Sequence, residues 1–382
     1  MDSFIEFYGK HHISPVRQDI SDLERHFQRR KGLYYQLGLL PSFFTGKTIL
    51  EIGPGSGYNS IVNASFSPAI YHMVDGNPRG IEDTQNLLSK FPQWNKNIEI
   101  YHSIIEDFKG DAIYDIVICE GMLTGQRNPV EVLKTVSRFV KPGGVLIITC
   151  IDPVSDLSEN LRYLVGNLLI RECNSIKQAI SVLLPVFSPH LEKLSGMSRR
   201  KDDWIVDNIL NPAAIGTTLS INDAITAIDK EFDVYNSSPK IFCDWRWYKE
   251  LYGDARRFSN IAKEQYWLLL HNLVDHTQVY GERNPALNRY LYSLCDSLRS
   301  LTVSFVINKD SKALPIIIET LQKLEEHLFD CCPDAAHAIS EVCKLVAQND
   351  LRTDDVIKCK YFERFFGRGQ QHLSFVKNIC DQ

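Results

Sequence analysis

"EIGPGSGYNS", residues 51–60, follows the apolar run "TIL" at 48–50 and places glycine at 53, 55 and 57. An apolar run ending in closely spaced glycines marks a buried strand that turns sharply into a helix. Glycine adopts backbone angles closed to other residues and lets a neighbouring group approach the main chain. The free N–H groups at a helix start favour anionic or electron-rich ligand atoms. The stretch therefore predicts a site for a nucleotide-like ligand. Its spacing is G-x-G-x-G, whereas a dinucleotide asks for G-x-G-x-x-G.

The flanking sequence supplies the rest of an α/β pattern. Before the glycines, "SDLERHFQRRKGLYYQLG" (21–38) predicts a helix, with Ser21 and Glu24 at capping-box spacing and Gly38 as its stop. After them, "AIYHMVDGNP" (69–78), "NIEIYHSIIEDF" (97–108), "YDIVICEG" (114–121) and "GGVLIITC" (143–150) read as strands, with helical patterns between them. Strands that are apolar on both faces and alternate with helices predict a parallel sheet covered on two sides. Beyond Cys150 the alternation stops, and 155–216 reads as a helical insertion. Strand signals return at "FDVYNSS" (232–238) and "KIFCDW" (240–245), after a helix that Ser220 and Asp223 would cap. From about Asp254 to the end the pattern is helical. The expected fold is a Rossmann-like, doubly wound, mostly parallel sheet of about seven strands, with a helical insertion and an all-helical C-terminal region. The expected divisions are 1–45 as an N-terminal helical segment, 46–250 as the α/β domain with the insertion, and 251–382 as a helical C-terminal domain.

Composition bounds the function. The chain has 382 residues, 44% hydrophobic and 23% charged, with a formal net charge of −5. These are the proportions of an ordinary soluble protein, with no general attraction to polyanions. The two "RRK" clusters, at 29–31 and 199–201, are local. The start "MDSFIEFYGKHH" does not read as a secretory signal, and no apolar stretch is long enough for a membrane span, so a cytoplasmic location is expected. Ten cysteines without a repeated spacing fit reduced thiols. The densest cluster holds Cys331, Cys332, His337 and Cys343. Pro333 would open a helix on which His337 and Cys343 diverge, so no metal is expected there.

In order and spacing, "LEIGPGSG" (50–57), "VDGNP" (74–78), and "YDIVICEGML" (114–123) followed by "FVKPGGVLII" (139–148) resemble the class I, Rossmann-like S-adenosylmethionine-dependent methyltransferases. The resemblance covers roughly residues 20–150 and again about 218–248. It implies S-adenosyl-L-methionine as cofactor, with Gly53, Gly55 and Gly57 under its methionine and ribose parts and Glu51 near its amino end. Asp75 would take both ribose hydroxyls from the tip of the second strand, with Gly76 beside it. Ile105 would offer an N–H to adenine, with Glu106 or Asp107 in place of the acid that Ile104 replaces. Glu120 and Gly121 would flank the methionine portion. Plainer readings stand beside these: Asp75 as a turn aspartate, Glu51 as a structural carboxylate bonded to loop amides, and Glu120 contributing only backbone.

Hydroxyl or ammonium acceptors must lose a proton on methylation. Many small-molecule members of the family carry a histidine shortly after the fourth strand, but "MLTGQRNP" has Gly125 there. The substitute candidates are Tyr34, Glu120 and His271. Arg29, Arg30 and Tyr35 lie on the first helix, which in this family often closes over the cofactor, so they could hold substrate. Structural roles suit His276 and the segment from Asp244 to Lys249, while Arg368 between two glycines is a candidate for an anion-binding loop. The expected reaction is methyl transfer to oxygen or nitrogen of a small or medium-sized metabolite. The insertion would act as a lid, and the helical tail as a substrate or homodimer module. No nucleic acid is expected, because "CEGM" (119–122) stands where a DPPY-like tetrapeptide would. An aminopropyl-type transferase and a cofactor-binding scaffold without turnover are the alternatives.

Overall fold

The computed structural model describes Phe7, residues 20–110 and residues 113–379. Most of residues 1–19 of the expected N-terminal segment, and Cys380, lie outside the described residues.

Seven strands form one sheet: β1 (Thr48–Ile52), β2 (Ile70–Asp75), β3 (Ile98–His102), β4 (Tyr114–Cys119), β5 (Val140–Cys150), β6 (Phe232–Ser238) and β7 (Gln371–Lys377). Their order is β3-β2-β1-β4-β5-β7-β6. The first five pair in parallel, and β7 runs antiparallel between β5 and β6. The chain winds outward from β1 to β3, then returns to lay β4 on the other side of β1. The tips of β1 and β4 therefore border the crevice where strand order reverses, the usual ligand position in such sheets.

The expected mostly parallel, seven-stranded fold and the helical C-terminal region are both present. The seventh strand, however, comes from a different segment. "KIFCDW" forms no strand, and the final strand is "QHLSFVK" from a stretch read as helical. Physical chemistry favours the second segment. The slot between β5 and β6 is closed on both sides, and Leu373, Ser374 and Phe375 are buried in it. The rival segment would bring Lys240 and Asp244 into the same place, where a charge without a partner is costly. Asp244 instead pairs with Arg246 in an irregular stretch after β6, where Trp245 and Tyr248 are exposed.

Contacts divide the chain into two units. One holds the sheet, described at 20–151, 217–266 and 370–379. Its core continues into the helix Leu23–Gln36, whose Tyr34 packs on Phe44 with ring centroids 4.9 Å apart. That helix is capped by Asp22, which accepts from Arg25 N at 2.9 Å, in place of the expected Ser21. The expected Ser220 cap is present, opening the helix Ile221–Ile228. "KPGG" lies within β5, where a Cβ on Gly144 would stand 2.9 Å from the Asp115 and Lys141 carbonyls, so the glycine permits close strand approach.

The other unit combines 152–216 with 267–369 and is helical. Buried arginines bind its parts together by donating to carbonyls that helix and turn ends leave free. Arg162 reaches Phe365 O at 2.7 Å and lies 3.6 Å from the Phe366 ring centroid. Arg299 reaches Ala214 O and Gly216 O, each at 2.9 Å. No described helix is long and apolar enough to cross a membrane.

Candidate active site

Three glycines beyond β1 take the left-handed backbone region, with φ of 71° at Gly53, 60° at Gly55 and 76° at Gly57. A Cβ on Gly57 would stand 3.0 Å from the Thr84 side chain, and one on Gly53 3.3 Å from Met122. The loop therefore needs glycine for both its angles and its packing. Asp75 ends β2 beside it, accepting from Gly55 N at 3.0 Å with one oxygen and from Asn77 N at 2.8 Å with the other. Burial raises the pKa of its carboxyl, and these two N–H bonds act against that rise. Gly76 lies between Asp75, which accepts, and Asn77, whose N–H donates to it.

The helix Leu23–Gln36 presents His26, Arg30 and Tyr34 along one face, at four-residue spacing. His26 Nε2 meets Tyr58 O at 2.7 Å, tying the helix to the glycine loop. Arg30 Nη2 stands 2.9 Å from each Glu120 oxygen and 2.9 Å from the Tyr34 hydroxyl. Tyr34 donates to Asn63, Asn63 Nδ2 donates to Tyr71 at 3.3 Å, and Tyr71 donates to Glu51. A buried polar chain thus runs from Glu120 at the β4 tip to Glu51 in β1.

Burial and charge set the protonation states along this chain. Burial pushes the Glu51 pKa up to about 7, although the Tyr71 hydrogen bond works the other way. Burial also raises Tyr34 and Tyr71 well above the ordinary phenol. Glu120 is largely buried too, but Arg30, with His372 in support, holds its carboxyl below the usual value. Burial opposes the charge on Arg30, yet Glu120 and Tyr34 more than offset it, so the guanidinium stays protonated.

The structure brings Glu51, Gly53, Gly55, Gly57, Asp75, Gly76, Glu120 and Gly121 to the tips of β1, β2 and β4. Gly121 N donates to Thr149 Oγ1 on β5 at 2.7 Å. Ile105 is buried in the turn after β3, while Glu106 and Asp107 are exposed there. Arg30 and Tyr34 face inward, and Arg29 and Tyr35 are exposed. Gly125 has φ of 87° and donates to Thr217 O at 2.9 Å, serving the backbone.

His271 belongs to the helical unit, where Asn288 meets its Nδ1 at 3.3 Å and burial lowers its pKa to about 4, as for a satisfied core histidine. His276 lies in the same unit and contacts Phe366 O at 3.1 Å. Arg368 is spent on backbone carbonyls, including Asn272 O at 2.7 Å, so its loop is braced internally. His337 packs between Phe329 and Tyr361. Among the described residues, no group of three or more His, Cys, Asp or Glu could hold a metal.

Sequence reasoning missed His26, Asn63, Tyr71, Thr149 and His372. The four-residue spacing of His26, Arg30 and Tyr34 was a readable signal for the first. The others become neighbours only when strands pair.

A family model described as "Methyltransferase domain" matches residues 25–181. The chain is 26% identical over 171 residues to the mitochondrial ubiquinone biosynthesis O-methyltransferase of Schizosaccharomyces pombe, covering 44% of this chain and 58% of that one. It is 30% identical over 125 residues to thiol S-methyltransferase TMT1B of Rattus norvegicus, covering 31% and 48%. Among solved structures, PKMT2 of Rickettsia typhi in complex with AdoHcy aligns with 63% of this chain and 50% of its own, at 15% identity and a TM-score of 0.44. The chain spans about half the length of the curated relatives it matches.

Proposed function

Since residues 25–181 belong to the class I, Rossmann-like methyltransferase family, we propose that the chain moves a methyl group from S-adenosyl-L-methionine to an oxygen or nitrogen of a small or medium-sized metabolite. The observation that carries this is Asp75: each of its oxygens accepts one loop N–H and keeps a further lone pair for a sugar hydroxyl. The rest of the site fits the same nucleoside. Its glycine loop offers main chain where a Cβ would collide with Thr84 or Met122. Asn77 Nδ2 and Arg30 Nε are buried donors that have no hydrogen-bond partner among the described residues.

Residues 53–57, Asp75 and Gly76 would hold the nucleoside, Ile105 and Glu106 the adenine, and Glu51, Glu120 and Gly121 the methionine end. When bound, the cofactor supplies an electrophilic methyl on a sulfonium. The chain's own contribution is alignment and exclusion of water, which provide much of the rate in an in-line displacement. The helix Leu23–Gln36 is suited to that work, because His26 holds it to the glycine loop and Arg30 to the β4 tip. The named relatives act through oxygen and sulfur acceptors, which supports a nucleophilic acceptor atom without choosing among them. Dimerisation through the helical C-terminal region and a cytoplasmic location complete the proposal.

Incubation with methyl-labelled cofactor and a fractionated metabolite extract tests the reaction. Label in a low-molecular-weight product is the expected result. Transfer of the aminopropyl group from decarboxylated cofactor, or tight binding with no label moved in any fraction, would replace methyl transfer with one of the two alternatives.

A further inference from the structure

A hydroxyl or ammonium acceptor must lose a proton, and the chain has Gly125 where a histidine after β4 would serve. We infer that His372, the second residue of the C-terminal strand β7, accepts that proton.

Strand direction places it. Because β7 runs antiparallel to β5, its first residues, and not its last, reach the edge where β1 and β4 end. His372 pairs with Thr149 on β5 and Ser238 on β6. The Thr149 hydroxyl accepts the Gly121 N–H at 2.7 Å, so His372 lies one strand from the β4 tip. Ser374, two residues along and on the same sheet face, donates to Leu37 O at 2.9 Å, at the end of the helix Leu23–Gln36. The imidazole thus lies on the face that this helix covers.

Charge suits it to the role. The charged groups it faces are Glu120 from the β4 tip and Arg30 from the helix. Those two are committed to each other, so neither is free to take a substrate proton. Burial, the largest influence, lowers the pKa of His372 and keeps the ring neutral, while Glu120 favours the protonated ring once formed and Arg30 opposes it. A neutral imidazole backed by a carboxylate is a competent general base.

The step balances. A lone pair on the acceptor oxygen or nitrogen forms the bond to the methyl carbon, and the carbon–sulfur bond breaks with its pair left on sulfur. The acceptor's O–H or N–H bond gives its proton to His372, which later releases it to water.

His372 has this task only if methyl transfer is the reaction, so the test separates the two. His372→Gln and His372→Asn should bind S-adenosylhomocysteine within about threefold of wild type by calorimetry. With catechol as acceptor they should lose on the order of 100-fold in kcat, together with the acidic limb of its pH profile. With thiophenol, already ionised at about pH 8 and in no need of a base, the loss should be under about tenfold. By histidine-selective NMR of the cofactor-free protein, the His372 ring should be neutral at neutral pH, and its midpoint should fall further in Glu120→Gln. Equal losses on both acceptors, a persistent acidic limb, or a midpoint indifferent to Glu120 would overturn the assignment. Failure of wild type to bind S-adenosylhomocysteine would instead strike the methyltransferase reading itself. Variants that bind S-adenosylhomocysteine and methylate catechol at the wild-type rate would likewise count against His372 as the base.

Discussion

Arg30 and Glu120, ninety positions apart in the chain, form a largely buried ion pair in which one guanidinium nitrogen stands 2.9 Å from both carboxylate oxygens. The pair joins the covering helix to the strand tip beside which the methyl group would move. Removing one partner leaves the other charged in a dry site. Arg30→Met should therefore destabilise the protein by about 3–5 kcal/mol. The double variant Arg30→Met, Glu120→Gln should recover a large part of that loss. Urea denaturation of the two variants and the wild type measures the difference, and additive losses would mean that the pair has no special coupling.

Asp75 is expected to grip the ribose. Asp75→Ala should weaken cofactor binding by about 1–3 kcal/mol, the usual loss for a charged hydrogen-bond partner. Calorimetry with S-adenosylhomocysteine reads this directly, and unchanged affinity removes Asp75 from the site.

Gly57 combines a φ of 76° with a Thr84 side chain 3.0 Å from where a Cβ would stand. Gly57→Ala should cost about 1–2 kcal/mol from the left-handed backbone alone, and more from the contact. A melting temperature equal to wild type would show that the loop relaxes freely.

Glu51 gives a signed pH dependence. Its carboxyl ordinarily titrates near 4.5, and burial raises it to about 7 in the folded chain. Between those values the native state holds a proton that the unfolded chain has released, so stability falls as pH rises through that window. Above it the loss is complete, roughly 3 kcal/mol for a shift of this size. Glu51→Gln keeps an acceptor for Tyr71 and should flatten the slope across that window. Thermal melts in a buffer series report it, and an unaltered slope would assign the dependence to other groups.

Much of the site was legible because it is local. Gly53, Gly55 and Gly57 announced a turn that only glycine makes, and Asp75 stood directly after an apolar strand run. The face shared by His26, Arg30 and Tyr34 was also written in their spacing. Asn63, Tyr71 and Thr149 carried no such signal, being ordinary polar residues in apolar stretches. Glu120 was visible as a position, but not as half of an ion pair.

The sequence by itself determined the alternating α/β pattern, the glycine turn and the acid beyond the second strand, because these depend on residues within about ten positions of one another. Only the tertiary structure decided that β7 fills the slot between β5 and β6, that Arg30 meets Glu120, and that His372 comes to the same edge. Strand pairing between distant segments is settled by which of them can be buried on both faces without stranding a charge. That comparison exists only once the rest of the sheet is in place.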